Sequence, residues 1–186
     1  MASPNDCGTV LWFADDDEAT GTPAKTVYAV ATYGELRGGN LSLVSSRDMV
    51  TWKDEGVFLR TRPGNWDNAT LSAGPAPVRL RDGNWLLLYN VDQLWPVSDP
   101  APLPWFGRCA LGWAILSGKN KTKVLARAKE PLVYASQPWD LAGFTAKVVY
   151  SGGVKPMGED TFTVYAGGAD RVIEAFSIKV ASSPPS

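Results

Sequence analysis

Histidine is missing from this chain of 186 residues. Its absence removes the commonest general base, the commonest metal ligand and every Ser-His or Cys-His nucleophile. Proton transfer must then fall to carboxylates, tyrosine, lysine or cysteine. Cysteine is scarce: Cys7 and Cys109 stand far apart and read as two thiols rather than a required disulfide. Net charge is almost absent, at −1, so nothing electrostatic recommends nucleic acid or an anionic membrane as a partner. No apolar run reaches the roughly 18 residues that a membrane-spanning helix needs. The opening MASPNDCGTVLWF lacks a basic stretch followed by an apolar one, so no signal peptide is expected there. A 3.6-residue period sustained over three turns is also lacking, and the expectation is therefore an all-β chain.

Tryptophan is plentiful, with eight residues, and 45% of the chain is hydrophobic, enough for a buried core without staples. Sugar rings present apolar C–H faces that pack on aromatic planes, so the tryptophans suit carbohydrate contact; filling a β core explains them as well. The stretch Leu71–Asn90 organises the rest. Small residues and two prolines (Ser72 to Pro77) lead into a short strand at Val78 and Leu80. A turn at Asp82-Gly83-Asn84 follows, then an apolar strand, Trp85–Tyr89, ending on polar Asn90. Asp-Gly between two apolar runs is a hairpin signal.

In chain order, residues 1–24 hold a short strand (Thr9–Phe13) and the acidic run Asp15–Glu18, read as a solvated loop. Further strands are expected at Lys25–Tyr33, Asn40–Ser45, Lys53–Arg60, Arg108–Leu116, Lys123–Arg127, Phe144–Gly152, Thr161–Ala166 and Val172–Val180. Glu130–Gly143 reads mostly as loop, and Lys155–Asp160 as a turn. Val91–Phe106 is a long Pro-rich loop carrying Trp95 and Trp105, of a length that is usually functional or disordered. Residues 181–186 form a Pro/Ser tail. Three segments resemble one another: Thr26–Ser45, Asn84–Ser117 and Thr161–Ile178. Each is an apolar strand reaching a tyrosine (Tyr33, Tyr89, Tyr165), a connection, and a strand with small residues. Repeats so spaced suggest propeller blades.

Six segments, in order, carry a family resemblance: Ser45–Trp52 (SSRDMVTW), Ser72–Pro77 (SAGPAP), Trp85–Tyr89 (WLLLY), Lys123–Arg127 with Pro131-Leu132, Lys147–Gly153 (KVVYSGG) and Tyr165–Asp170 (YAGGAD). From about Tyr28 to Val180 the chain resembles the C-terminal part of glycoside hydrolase family 130, related to family 43-type propellers. The resemblance implies a five-bladed β-propeller acting on β-mannosides, as phosphorylase or hydrolase, of which about three blades lie in residues 25–180. Where the family's phosphorylases carry a phosphate-binding histidine after the WLLLY-like strand, this chain has Asn90. The family's acidic "EDPR"-type segment has no counterpart here, so no catalytic acid is assigned.

Strand ends and loops supply the candidate substrate-binding residues Asp170, Asn90, Asp92, Glu35, Arg37, Trp95 and Trp105. Asp170 lies in the segment matched to the family's sugar-contacting aspartate; turn chemistry accounts for it too. Asn90 and Asp92 could bond sugar hydroxyls, or simply be polar residues of a loop that faces water. Glu35 and Arg37 could be a surface pair. Arg37 and Arg108 are the cations available to a phosphate. Trp95 and Trp105 could form a sugar platform or pack within the loop. No metal and no cofactor is expected. The reading is a glycosidase-type protein acting on β-linked mannosides or related oligosaccharides, with hydrolysis favoured over phosphorolysis; the alternative is a non-catalytic carbohydrate-binding propeller fragment. Open blade flanks suggest either a fragment of a longer enzyme, incomplete without upstream blades, or a reduced propeller that buries its flanks in a homodimer. The chain gives no compartment.

Overall fold

The computed structural model describes residues 9–13, 26–32, 39–92 and 108–181. They form three antiparallel sheets and one helical turn. The first sheet joins β1 (Thr9–Phe13), β2 (Val27–Thr32), β3 (Leu41–Ser46) and β4 (Lys53–Leu59) in that spatial order. The second is built on β5 (Thr70–Ala73), β7 (Trp85–Asp92), β8 (Ala110–Leu116) and β10 (Val133–Tyr134), with β6 (Val78–Arg79) on β7 and β9 (Val124–Arg127) on β8. The third holds β11 (Val149–Gly158), β12 (Thr161–Gly168) and β13 (Val172–Lys179). A single turn of helix, α1 (Pro138–Leu141), lies between β10 and β11. The all-β expectation holds.

The three look-alike segments are the second and third strands of the three sheets: β2–β3, β7–β8 and β12–β13. In the first two, apolar runs are continuous rather than alternating because both faces are covered. All of Leu41–Ser46 is buried, and β7 is buried from Trp85 to Val91. The first strand of each later sheet docks on the middle strands of the one before it. β5 packs on β2 and β3, and β11 on β7 and β8. This is the stacking of consecutive wedges. Leu41, Leu43, Leu71, Leu87 and Tyr89 join the first two sheets in one core, and Leu86, Leu88, Phe162 and Val164 join the second and third.

The Asp82–Asn84 turn forms as expected. Leu80 N–H donates to Asn84 O at 2.8 Å, and Gly83 has φ +81°, a conformation glycine adopts without a Cβ penalty. Two expectations need correction. The strand expected at Phe144–Gly152 begins only at Val149, and the turn expected at Lys155–Asp160 is confined to Glu159-Asp160. β11 runs through Lys155 to Gly158 with register shifts at Gly152 and Met157, which break the two-residue period the eye follows. Pro156 is tolerated because β11 is an edge strand. The small-residue lead-in to the central hairpin also contains a strand, β5, that pattern alone did not reveal.

Candidate functional site

Antiparallel alternation brings one set of connections to one end of the sheets. These are the β2–β3, β7–β8 and β12–β13 links, together with the β4–β5 and β10–β11 links. Backbone bonds tie this end together. Leu71 N–H donates to Gly39 O at 2.7 Å, Cys109 N–H to Lys147 O at 2.9 Å, and Ala169 N–H to Val148 O at 2.9 Å. Every candidate named from the sequence belongs to this end or to a segment joining its strand ends. Glu35 and Arg37 fall in the β2–β3 link and Trp95 and Trp105 in the β7–β8 link; all four lie outside the described residues.

Asp170 is exposed, at the turn between β12 and β13. Ala169 and Asp170 both take positive φ, +48° and +52°, and Arg171 N–H returns to Gly168 O at 3.0 Å. Aspartate tolerates this left-handed geometry better than bulky residues, so the position serves turn chemistry while presenting a carboxylate to solvent. Asp92 closes β7, half-buried, opposite Thr70, with the buried thiol of Cys109 at 3.8 Å from its Oδ1.

Asn90 is different in kind. It is fully buried between the second and third sheets. Its Oδ1 accepts from Ser151 N–H at 2.8 Å and from Ser151 Oγ–H at 2.9 Å. Its Nδ2 donates to Ala73 O at 3.2 Å and Ser151 O at 3.3 Å. The amide thus stitches β7 to β5 and β11. Thr32 does the same between the first and second sheets, its Oγ1 accepting from Ala73 N–H at 3.1 Å. Arg108, named as a phosphate candidate, donates from Nη1 to Ala135 O at 2.8 Å. Among the described residues, no group of three histidine, cysteine or carboxylate side chains converges to hold a metal ion.

A buried charge cluster supports this end, and sequence reading missed it. Asp67, in the link between β4 and β5, is fully buried. It accepts from Arg62 Nε at 2.8 Å, lies 2.5 Å from Arg127 Nη2, and accepts from Tyr89 Oη–H at 3.2 Å. Arg62 also donates to Ala128 O at 2.6 Å, and Arg127 to Arg60 O at 2.5 Å. Burial pushes the Tyr89 hydroxyl up to about 12, against the opposing pull of Arg127. The available signal was Trp66-Asp67 in a turn-rich stretch with Arg62 five residues earlier; Arg127 comes from a strand far along the chain.

A cleft of about 1000 Å³ lies toward the opposite end, between the second and third sheets, lined among others by Leu86, Trp113, Leu132, Asp160 and Ile178. Its walls are mostly apolar, and it lies beside β13, which carries no fourth strand among the described residues. None of the sequence-derived candidates lines it.

Residues 24–182 match the family model described as glycoside hydrolase 130, β-1,4-mannooligosaccharide phosphorylase. A 1,2-β-oligomannan phosphorylase of Thermoanaerobacter sp. (strain X514) is 33% identical over 128 residues, covering 69% of this chain and 39% of that protein. A β-1,2-mannobiose phosphorylase of Listeria innocua is 29% identical over 144 residues, covering 76% of this chain and 37% of that protein. The structure of the Listeria innocua β-1,2-mannobiose phosphorylase in complex with β-1,2-mannobiose superposes with TM-score 0.74 at 24% identity, over 95% of this chain and 45% of that one. A family structure reported with glycoside hydrolases that target β-1,2 mannosidic linkages in Candida mannan superposes with TM-score 0.72 at 18% identity, over 97% of this chain and 52% of that one. The chain spans about two fifths of the length of the curated relatives it matches. Its three sheets match part of the family's five-bladed propeller. With the family model spanning most of its length, the chain belongs to glycoside hydrolase family 130.

Proposed function

We propose that this chain forms part of a β-mannoside-acting propeller glycosidase, and that the end carrying Asp92 and Asp170 contributes to the saccharide site. The observation that supports this is that Asp92, at the end of β7, and Asp170, at the β12–β13 turn, lie toward the same end of sheets that belong to this family. The curated relatives above are named as phosphorylases of β-1,2-linked mannosides. Hydrolysis is nonetheless the favoured reaction here. Phosphorolysis needs donors gathered round a phosphate, and Asn90, standing where the family's phosphorylases are expected to carry a histidine, spends its amide between the sheets. Inverting hydrolysis needs two carboxyl groups roughly 6.5–9.5 Å apart, one giving a proton to the leaving oxygen and one activating water. Asp170 is the residue we assign to sugar contact. The acid is left to chain outside these sheets.

The experiment is a turnover assay on β-1,2-mannobiose, with and without inorganic phosphate. Mannose released without phosphate supports hydrolysis. Mannose 1-phosphate formed only with phosphate replaces that reading by phosphorolysis. Sugar binding without turnover supports the second reading, a carbohydrate-binding propeller fragment. Association of two copies through the edge of β13, which carries no further strand among the described residues and where Ile173 is 84% exposed, belongs to the same proposal and is read by sedimentation.

A further inference from the structure

The link from β10 to β11 carries an aromatic that neither the sequence pattern nor the family motif singled out. Phe144 is 92% exposed, and Trp139 and Leu141 beside it are also exposed. A phenyl ring left in water forgoes the stabilisation that burial gives a core ring, and clustered exposed apolar groups mark binding surfaces more often than single ones do. The segment that carries the ring is fixed on both sides. Before it, Gly143 lies so close to the β12–β13 turn that a Cβ there would collide with Ala169 O. After it, Thr145 N–H donates to Ala169 O at 3.3 Å.

The link also closes on itself through Asp140, which is buried. Its Oδ2 accepts from Ser136 N–H at 3.1 Å and Gln137 N–H at 2.9 Å, and its backbone carbonyl accepts from Lys147 N–H at 2.8 Å and Val148 N–H at 3.2 Å. Trp139 is held by its Nε1–H donating to Glu174 Oε2 at 3.0 Å. An exposed ring is therefore carried on a closed loop against Ala169, the immediate neighbour of Asp170.

We propose that Phe144 is a sugar-stacking platform beside Asp170, taking the apolar C–H face of a pyranoside while the carboxylate takes its hydroxyls. This rests on the assignment of Asp170 to sugar contact made above. A flat apolar face joined to a ring of hydroxyls fits an aromatic next to a carboxylate, and a backbone held before binding leaves less of the segment to be ordered when sugar arrives. Neither a metal nor a covalent step is involved.

The test is calorimetric titration of the chain with β-1,2-mannobiose, comparing Phe144→Ala, Phe144→Trp and Asp170→Asn with the parent. The expected result is an affinity loss of about tenfold or more for Phe144→Ala, near-parent affinity for Phe144→Trp, and an unchanged unfolding midpoint for both, since the ring is exposed. Parent-like affinity in Phe144→Ala, with Asp170→Asn weakened, overturns the platform and leaves the Asp170 assignment standing. A parent chain that does not bind overturns both. A change in sedimenting mass for Phe144→Ala with sugar affinity intact assigns the ring to protein contact and overturns the platform.

Discussion

Asn90 and Ser151 are locked together across the gap between the second and third sheets by three hydrogen bonds of 2.8, 2.9 and 3.3 Å. A polar side chain with no exposed surface, satisfied on both its oxygen and its nitrogen, is structural in this arrangement whatever its place in a motif. Asn90→Ala strands the Ser151 N–H and the Ala73 carbonyl in a buried seam. The expected cost is about 2–3 kcal/mol, from the desolvation of orphaned groups, read as a fall in urea midpoint. Asn90→His, which would restore the residue expected in the phosphorylases, is predicted to destabilise the chain without creating phosphate-dependent turnover. Phosphate-dependent product from that variant would show that position 90 can reach the site.

Asp67 is the second anchor. Removing its charge leaves Arg127, whose side chain is only 12% exposed, beside a neutral partner. Breaking a buried ion pair from one side costs about 3–5 kcal/mol, so Asp67→Asn is expected to lose most of that in denaturant unfolding. Joint replacement with Arg127→Met should recover some of it, since a buried charge then disappears with its partner. Equal stability of Asp67→Asn and the parent chain would contradict the buried-cluster account.

Gly112 sits where Trp66 and Tyr89 stack, their centroids 6.0 Å apart. A Cβ at this position would collide with Tyr89 Cζ and stand 2.6 Å from Trp66 Cη2. Gly112→Ala must push two core rings aside, and overpacking of this kind costs about 1–3 kcal/mol. The checks are the unfolding midpoint and the near-ultraviolet circular dichroism of the two rings.

Alkaline unfolding reports on Tyr89. Its hydroxyl is raised to about 12 in the folded chain, chiefly by burial, against an ordinary value of 10.0. Below pH 10 both states keep the proton and stability is at its full value. Between pH 10 and about 12 the unfolded state releases it first, and stability falls by about 3 kcal/mol at 1.36 kcal/mol per unit. Tyr89→Phe should remove this slope. On the acid side, Asp48 accepts from the backbone N–H groups of Thr51 and Val50 and from the Ser46 hydroxyl, and is lowered to about 2. Its contribution is present above the ordinary carboxylate value and is lost as pH falls through about 2.

Much of this was legible in the chain because the relevant signals are local. The apolar run of β7, the Asp82-Gly83 turn and the repeated β2–β3, β7–β8 and β12–β13 units read directly as strands and hairpins. β5 escaped because its four residues, Thr70–Ala73, are mostly small or polar and become a strand only by pairing with Val91 and its neighbours. β11 was cut short because Gly152, Gly153 and Pro156 read as punctuation, whereas its register shifts absorb them into one ladder. Asn90 and Asp170 look alike in a motif, each polar and just past an apolar strand. Only packing separates the buried stitch from the exposed carboxylate. The Asp67 cluster needs Arg127 from another strand, and no local pattern contains that pairing.

The most direct test of the saccharide site is to follow the backbone amide resonances of the chain during titration with β-1,2-mannobiose. The account predicts shifts concentrated at Ala169–Arg171, at Gly143–Thr145, at Asp92 and at Arg108-Cys109, with the turns at Asp82–Asn84 and Glu159-Asp160 unmoved. Shifts confined to those two opposite turns, or to the cleft between Trp113 and Ile178, would contradict it.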